Sequence, residues 1–410
     1  MKNNLKKNFI WNLIGSTFNS FTSLFFLIIV TRLNGIDDAG IFTFAFSNAC
    51  LLQVVGIYIN RAYQVTESDK KISDSDYIHT KIITILMMFI IGLVFSIIRN
   101  YDFYKISIIM LLIFYKALDA FSESIYAIMQ KKDFLYKVGI SLFIKGIVGT
   151  IVFIVADVLT KDVILSLWCL IISNILLILF YDFRIVKKLK FKLEKIKIKN
   201  SILLIRLGFW TFLFTLLTQY LINASKYAID SSLSNDIQTI YGIIAMPASI
   251  LVLIANFIIH PFLNGIKKTI DDKNYSGLNK TLLKMSLSII IVTGVSVILC
   301  YFVGIPILNL MYNIKLDNYL TELLIILTGS GVFGITIIIS NIMIAMRKTM
   351  SQTVIFGITS LFALFMSKFL VEKYLLLGAA WSYLLSMSLL FVLYVIVYIY
   401  ILKKEKHYEK

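Results

Sequence analysis

Three charged residues interrupt an otherwise apolar run: Lys116, Asp119 and Glu123. Spaced three and four residues apart, they fall on one face of a helix. Lys116 and Asp119 can pair, which leaves Glu123 as an excess carboxylate. Charges inside such a run are costly and usually face a partner or a hydrated space. Two readings are open. The trio is either an internal ion pair that holds helices together, or a cavity wall on which Lys116 attracts an anion and Asp119 or Glu123 takes a coupling cation. A second polar series, Arg206, Gln219, Asn223, Lys226 and Asp230, marks a later apolar run. Arg206 either snorkels to headgroups or faces a cavity, where its planar fork suits a diphosphate. The first run carries a comparable stripe of Asn12, Ser16, Asn19 and Ser23. The two stripes read as walls of a hydrated groove or as hydrogen bonds between helices. Lys145 is an isolated charge that requires the interior or a nearby carboxylate. His260, followed by Pro261, is either a bystander or a proton relay.

The elements that must position these groups are long apolar helices. Mean hydropathy is +0.86 with 59% hydrophobic residues, too apolar for a soluble protein of 410 residues. Runs long enough to cross a bilayer fall at 8–30, 39–60, 82–98, 106–129, 138–156, 163–181, 202–224, 238–262, 285–311, 323–344, 351–367 and 375–401. The expected fold is an all-α polytopic membrane protein of about twelve transmembrane helices in two pseudo-symmetric six-helix bundles. Most of the 40 Lys and Arg residues lie in alternate connections, which predicts both termini on the cytoplasmic side. The most basic connection, 182–200, holds Arg184 and seven lysines. It reads as a linker between an N-terminal bundle, 1–181, and a C-terminal bundle, 201–410, and as a contact for anionic lipid headgroups.

Several function classes are disfavoured. The net charge of +17 is divided among loops, which is membrane topology and not nucleic-acid binding. Cys50, Cys169 and Cys300 lie singly inside apolar runs, with no metal or disulfide spacing. No cofactor motif, P-loop or nucleophile elbow is present. The first apolar run is too long for a signal peptide and reads as an uncleaved span. The connections on the non-cytoplasmic side are short, which argues against an external catalytic domain such as a glycan polymerase or ligase would need.

The halves carry a weak internal repeat. The segment 124–132 parallels 341–349, pairing Ile125 with Ile342, Met129 with Met346 and Lys131 with Lys348. After a one-residue slip, Gly139-Ile140-Ser141 pairs with Gly357-Ile358-Thr359. Six helices per half implies parallel repeats about an axis along the membrane normal.

Several stretches together resemble the Wzx-type O-antigen and capsular polysaccharide flippases, the polysaccharide-transport branch of the MATE/MOP exporter superfamily. They are Lys6-Lys-Asn-Phe-Ile-Trp-Asn12 running to Thr31-Arg-Leu-Asn-Gly35 and Asp38-Ala-Gly40, Arg61-Ala-Tyr-Gln-Val-Thr-Glu67, Tyr115-Lys-Ala-Leu-Asp-Ala-Phe-Ser-Glu123, Gln130-Lys-Lys132 and Gly139-Ile-Ser141. The second half matches mainly in span count, length and the placement of His260-Pro261. The resemblance implies two six-helix bundles around a central cavity that opens alternately to each side of a bacterial plasma membrane. It implies no cofactor and a non-enzymatic role: moving an undecaprenyl-diphosphate-linked oligosaccharide, driven by protons or sodium. The implied partners are that lipid-linked substrate, membrane lipids, a polysaccharide polymerase and a chain-length regulator. Arg61, Lys116, Lys145, Arg206, Asn19, Gln219 and Asn223 would bind the diphosphate and glycan, and Asp119 and Glu123 the coupling ion. Two rivals share the superfamily. One is a cation-coupled multidrug antiporter, whose cavity would be net negative. The other is a lipid II flippase, expected to have fourteen spans and more cavity arginines.

Overall fold

The computed structural model describes residues 2–67, 72–259 and 262–407, all of them in helices or the connections between them. The chain forms two compact units, Met1–Phe212 and Leu213–Lys410. In the first are α1 (Lys2–Leu33), α2 (Ile36–Ile57), the short α3 (Arg61–Val65), α4 (Asp74–Ile98), α5 (Phe103–Lys131), α6 (Leu135–Thr160) and α7 (Val163–Leu177). A π-helical turn, Ile178–Asp182, carries α7 directly into α8 (Phe183–Lys188). The chain passes from one unit to the other within α9 (Ile198–Ser232). The second unit continues with α10 (Asn235–Ile244), α11 (Met246–Ile259), α12 (Leu263–Asp271), α13 (Tyr275–Leu299), α14 (Ile305–Tyr312), α15 (Leu320–Ala345) and α16 (Thr349–His407).

Among the described residues, ten helical stretches are long and apolar enough to cross a membrane. Two corrections bring the number to twelve. Helix α5 has the length, but Lys116, Asp119 and Glu123 make it too charged to count by composition. Helix α16 is two crossings joined at Leu375, whose φ of 52° and ψ of −129° cannot continue a helix. The expected twelve-helix, all-α membrane fold is therefore what the chain adopts. The outward faces agree with this. On α4, Leu86, Ile90 and Ile97 are exposed, and on α13 so are Leu283, Leu287 and Ile298. In water such surfaces would aggregate, whereas lipid accommodates them.

Local sequence explains where helices start. Ser73 and Asp76 form a reciprocal capping box on α4. Asp102 accepts the Tyr104 and Lys105 amides at the head of α5, and Asp162 accepts those of Ile164 and Leu165 at the head of α7. In the first unit α1 lies directly against α6, and glycine makes the approach possible. A Cβ at Gly15 would overlap the Gly139 carbonyl, and one at Gly139 would overlap the Trp11 carbonyl.

The helix ends also fix the internal repeat. Helix α5 stops at left-handed Asp133 (φ 61°), with the Phe134 amide donating to Met129 O at 3.0 Å. Helix α15 stops the same way at Arg347 (φ 59°), with the Lys348 amide donating to Met343 O at 2.9 Å. Met129 is thus equivalent to Met343, and not to Met346 as the residue types pair them. The difference is close to one helical turn, because side-chain identity on apolar helices constrains register weakly while the cap geometry fixes it. Gly139 and Gly357 part company too. Gly139 is a packing contact, whereas a Cβ at Gly357 would meet nothing within 4 Å.

Candidate functional site

Within the first unit, α1, α2 and α5 line a half-open cavity of about 350 Å³, with Leu142 of α6 also in the lining. Each helix contributes one face. From α1 come Asn19, Ser20, Thr22 and Ser23, and from α2 Phe46, Cys50, Gln53 and Ile57. Helix α5 contributes Lys116, Asp119, Glu123 and Tyr126 at intervals of three and four. Lys116 Nζ lies 3.5 Å from Asp119 Oδ2, against the rings of Phe46 and Tyr115.

Glu123 is paired from outside the lining. Its Oε2 lies 3.8 Å from Arg61 Nε, and Arg61 Nη1 is buried without a hydrogen-bond partner. Arg61 opens α3, which Asn60 caps by accepting the Tyr63 amide. Gln64 anchors α3 by donating to Asp74 Oδ1 and to the Ser124 carbonyl of α5. The break between α2 and α3 falls at Tyr58 (φ 44°), where the end of α2 exposes unpaired carbonyls. Buried Lys81 of α4 supplies the missing donors, contacting the carbonyls of Ile57 and Ile59, while Thr84 donates to Gly56 O. Lys81 thereby holds the bend that aims Arg61 at Glu123. By sequence Lys81 falls just outside the run 82–98, because the first charge in a run looks like its end.

The other expected site residues are distributed as follows. Asn19, Lys116, Asp119 and Glu123 meet at the cavity. Lys145 does not line it. Its Nζ donates to Ser122 Oγ at 2.7 Å and faces Asp182 Oδ2 at 3.7 Å, with both charged side chains almost fully buried. The Asp182 carboxylate also accepts from Ser141 Oγ at 2.7 Å. By sequence Asp182 opens the basic linker 182–200, because the apolar run stops before it. In the structure it closes the π-helical turn inside the helical stretch Val163–Lys188. Arg206 is exposed on α9. Gln219 and Asn223 lie in the second unit, where Asn223 is buried and donates to the Gln219 carbonyl of its own helix at 3.0 Å. Ser16 likewise bonds back to the Asn12 carbonyl of α1. His260 and Pro261 lie outside the described residues. Among the described residues, no group of three or more His, Cys, Asp or Glu side chains is placed to hold a metal ion.

No protein-family model matches the chain. A capsular polysaccharide biosynthesis protein, CapF of Staphylococcus aureus, is 25% identical over 406 residues, spanning 95% of this chain and 98% of that protein. Among solved structures, the lipid II flippase MurJ in an inward closed conformation aligns with a TM-score of 0.72 at 17% identity, covering 95% of this chain and 87% of MurJ. A multidrug resistance MATE-family transporter of the MOP superfamily, in an outward-facing conformation, aligns at 0.63 with 11% identity, covering 99% and 97%. Likeness in sequence to the CapF protein, and in fold to MurJ and the MATE-family transporter, thus extends over nearly the whole chain, beyond the short motifs of one half.

Proposed function

We propose that the protein is a flippase that carries a lipid-diphosphate-linked oligosaccharide, of the undecaprenyl type, across a bacterial plasma membrane for capsule- or O-antigen-type polysaccharide synthesis. Both termini would face the cytoplasm. The observation that carries this reading is the cavity itself. A lipid-facing protein keeps a polar pocket lined by hydroxyls, amides and exchangeable ion pairs, which is what a sugar-diphosphate headgroup needs while its tail stays in lipid. At about 350 Å³ the pocket sits at the small end of ligand sites. It suits the diphosphate with its first sugar better than a complete repeat unit. Lys116 and Arg61 can turn from their carboxylates to the diphosphate, and the freed Asp119 or Glu123 can then take a proton or sodium ion. Similarity to a capsular polysaccharide biosynthesis protein supports the same substrate class. The role is transport and not catalysis, with a polymerase and a chain-length regulator acting on the delivered units.

One observation favours a second reading, a cation-coupled antiporter: the lining alone carries two carboxylates to one cation. Arg61, paired with Glu123, restores the balance. The decisive experiment deletes the gene and follows lipid-linked glycans by mass spectrometry, with sidedness probed in intact cells. Complete units trapped on the cytoplasmic leaflet support the flippase. Units that reach the outer leaflet unpolymerised indicate a polymerase, and unchanged glycan lipids indicate the antiporter. In a complemented strain, Lys116→Ala should lower translocation by roughly tenfold or more, the cost of one charge-assisted contact, with insertion unchanged. Normal export by this variant would remove Lys116 from the site.

A further inference from the structure

We propose that Asp182 is a proton-binding site of the transport cycle, loaded from the cavity through the hydroxyls of Tyr126 and Ser141, with Lys145 as its counter-ion. The proposal rests on the transport reading above but concerns a separate cluster. Tyr126 lines the cavity, and its hydroxyl lies 3.0 Å from Ser141 Oγ. Ser141 Oγ donates in turn to Asp182 Oδ1 at 2.7 Å. Two hydroxyls therefore connect the cavity to a carboxylate with no exposure of its own. Hydroxyls in series can pass a proton because each accepts one on its oxygen while giving up its own. A proton from cavity water reaches Tyr126, that of Tyr126 reaches Ser141, and that of Ser141 reaches Asp182. Rotation of the two hydroxyls then resets the chain.

Every group that faces Asp182 fits this role. From α6 come Lys145 and Ser141, and from α5 Tyr126. Tyr181 is its neighbour on the same turn, with Tyr136 beyond it. Tyr126 packs in an apolar cluster with Ile125, Met129, Val138, Ile178, Ile185 and Val186. Asp182 Oδ2 lacks a hydrogen bond and stands 3.7 Å from Lys145 Nζ. Adding a proton to the carboxylate removes the charge that faces Lys145 and leaves Lys145 on its hydrogen bond to Ser122 Oγ. Lys145 is also within electrostatic reach of Asp119, a cavity carboxylate. Once Asp182 is neutral, Lys145 is drawn toward Asp119, which competes with Lys116 and frees it for the diphosphate. The π-helical turn that ends at Asp182 supplies a helix segment with looser hydrogen bonding at the point where the charge changes.

Infrared difference spectroscopy of the purified full-length protein tests the site without any glycan. The expected result is a carboxylic-acid carbonyl band that titrates with pH in the wild type and is absent in Asp182→Asn. After a pH jump, Tyr126→Phe and Ser141→Ala should retain the band but delay its appearance at least tenfold. A band that persists in Asp182→Asn, or unchanged kinetics in both hydroxyl variants, overturns the proposal. Proteoliposomes with an imposed pH gradient give the transport readout. In the wild type, flipping of lipid-linked glycan extracted from the source membranes should respond to the gradient. The double variant Lys145→Met with Asp182→Leu, which removes both charges together and avoids an unpaired one, should lose that response. If the double variant responds as the wild type does, the pair is only structural and the proposal fails. A titrating Asp182 band in a protein that flips no glycan would instead sink the proposed function and leave the proton site standing.

Discussion

The two units solve one packing problem with different chemistry. Tyr126 and Ser340 each sit five residues before the end of their helix, at Lys131 and Ala345, ahead of the same left-handed cap. Each joins a buried polar network linking the fourth, fifth and sixth crossings of its unit. In the first unit the network is Tyr126, Ser141, Lys145 and Asp182, and it contains a full ion pair. In the second it is Ser340, Gln352 and Tyr394. Ser340 Oγ donates to Gln352 Oε1 at 2.6 Å and the Tyr394 hydroxyl to the same oxygen at 2.9 Å, with no charge involved. Neutral hydrogen bonds suffice to fasten these helices, as the second unit demonstrates. Charge in the first unit therefore needs another explanation, because a buried ion pair is weak evidence for stability. Its adjacency to the cavity supplies one.

This contrast can be broken in stages. Asp182→Leu alone leaves buried Lys145 without its counter-ion and should cost about 3–5 kcal/mol, read as a lowered thermal midpoint in detergent, and adding Lys145→Met should recover most of it. If the single variant costs no more than a change in the second unit's network, the distinction between the units collapses. Next, Gly139→Ala drives a methyl into the Trp11 carbonyl of α1 and should cost about 1–3 kcal/mol by the same assay. A smaller effect follows in the neutral network. Tyr394→Phe removes one hydrogen bond between helices and should lower stability by about 0.6–1.7 kcal/mol without altering any pH response of transport. A shifted pH profile in that variant would mean that both networks serve the cycle. The smallest effect has the opposite sign. Gly357→Ala should stabilise the protein by about 0.5–1 kcal/mol, since a helical alanine there meets no neighbour, and destabilisation would restore its equivalence to Gly139.

Residue types and spacing made the membrane fold legible. Apolar runs of bilayer length predict helices because no other single-chain segment satisfies its backbone in lipid. The trio Lys116, Asp119 and Glu123 was visible for the same reason, since charge in such a run stands out and intervals of three and four mark one face. Asp182 and Lys81 were not visible. Both lie where apolar character fades, and a charge at the end of a run looks like a boundary whether or not the helix continues.

The sequence by itself determined the membrane-crossing helices, their count and the presence of unexplained charge within them. These depend on composition over a span, and solvent transfer acts on each segment alone. Only the tertiary structure decided which charges meet. Lys145 finds Asp182, Arg61 finds Glu123, and Lys81 finds the carbonyls at the end of α2. Each partner lies on another element, far along the chain, and its identity follows from helix rotation and register. Caps such as those at Asp133 and Arg347, and close approaches such as Gly15 on Gly139, fix that register. They are backbone geometries formed in the folded chain, and a periodic apolar pattern does not encode them.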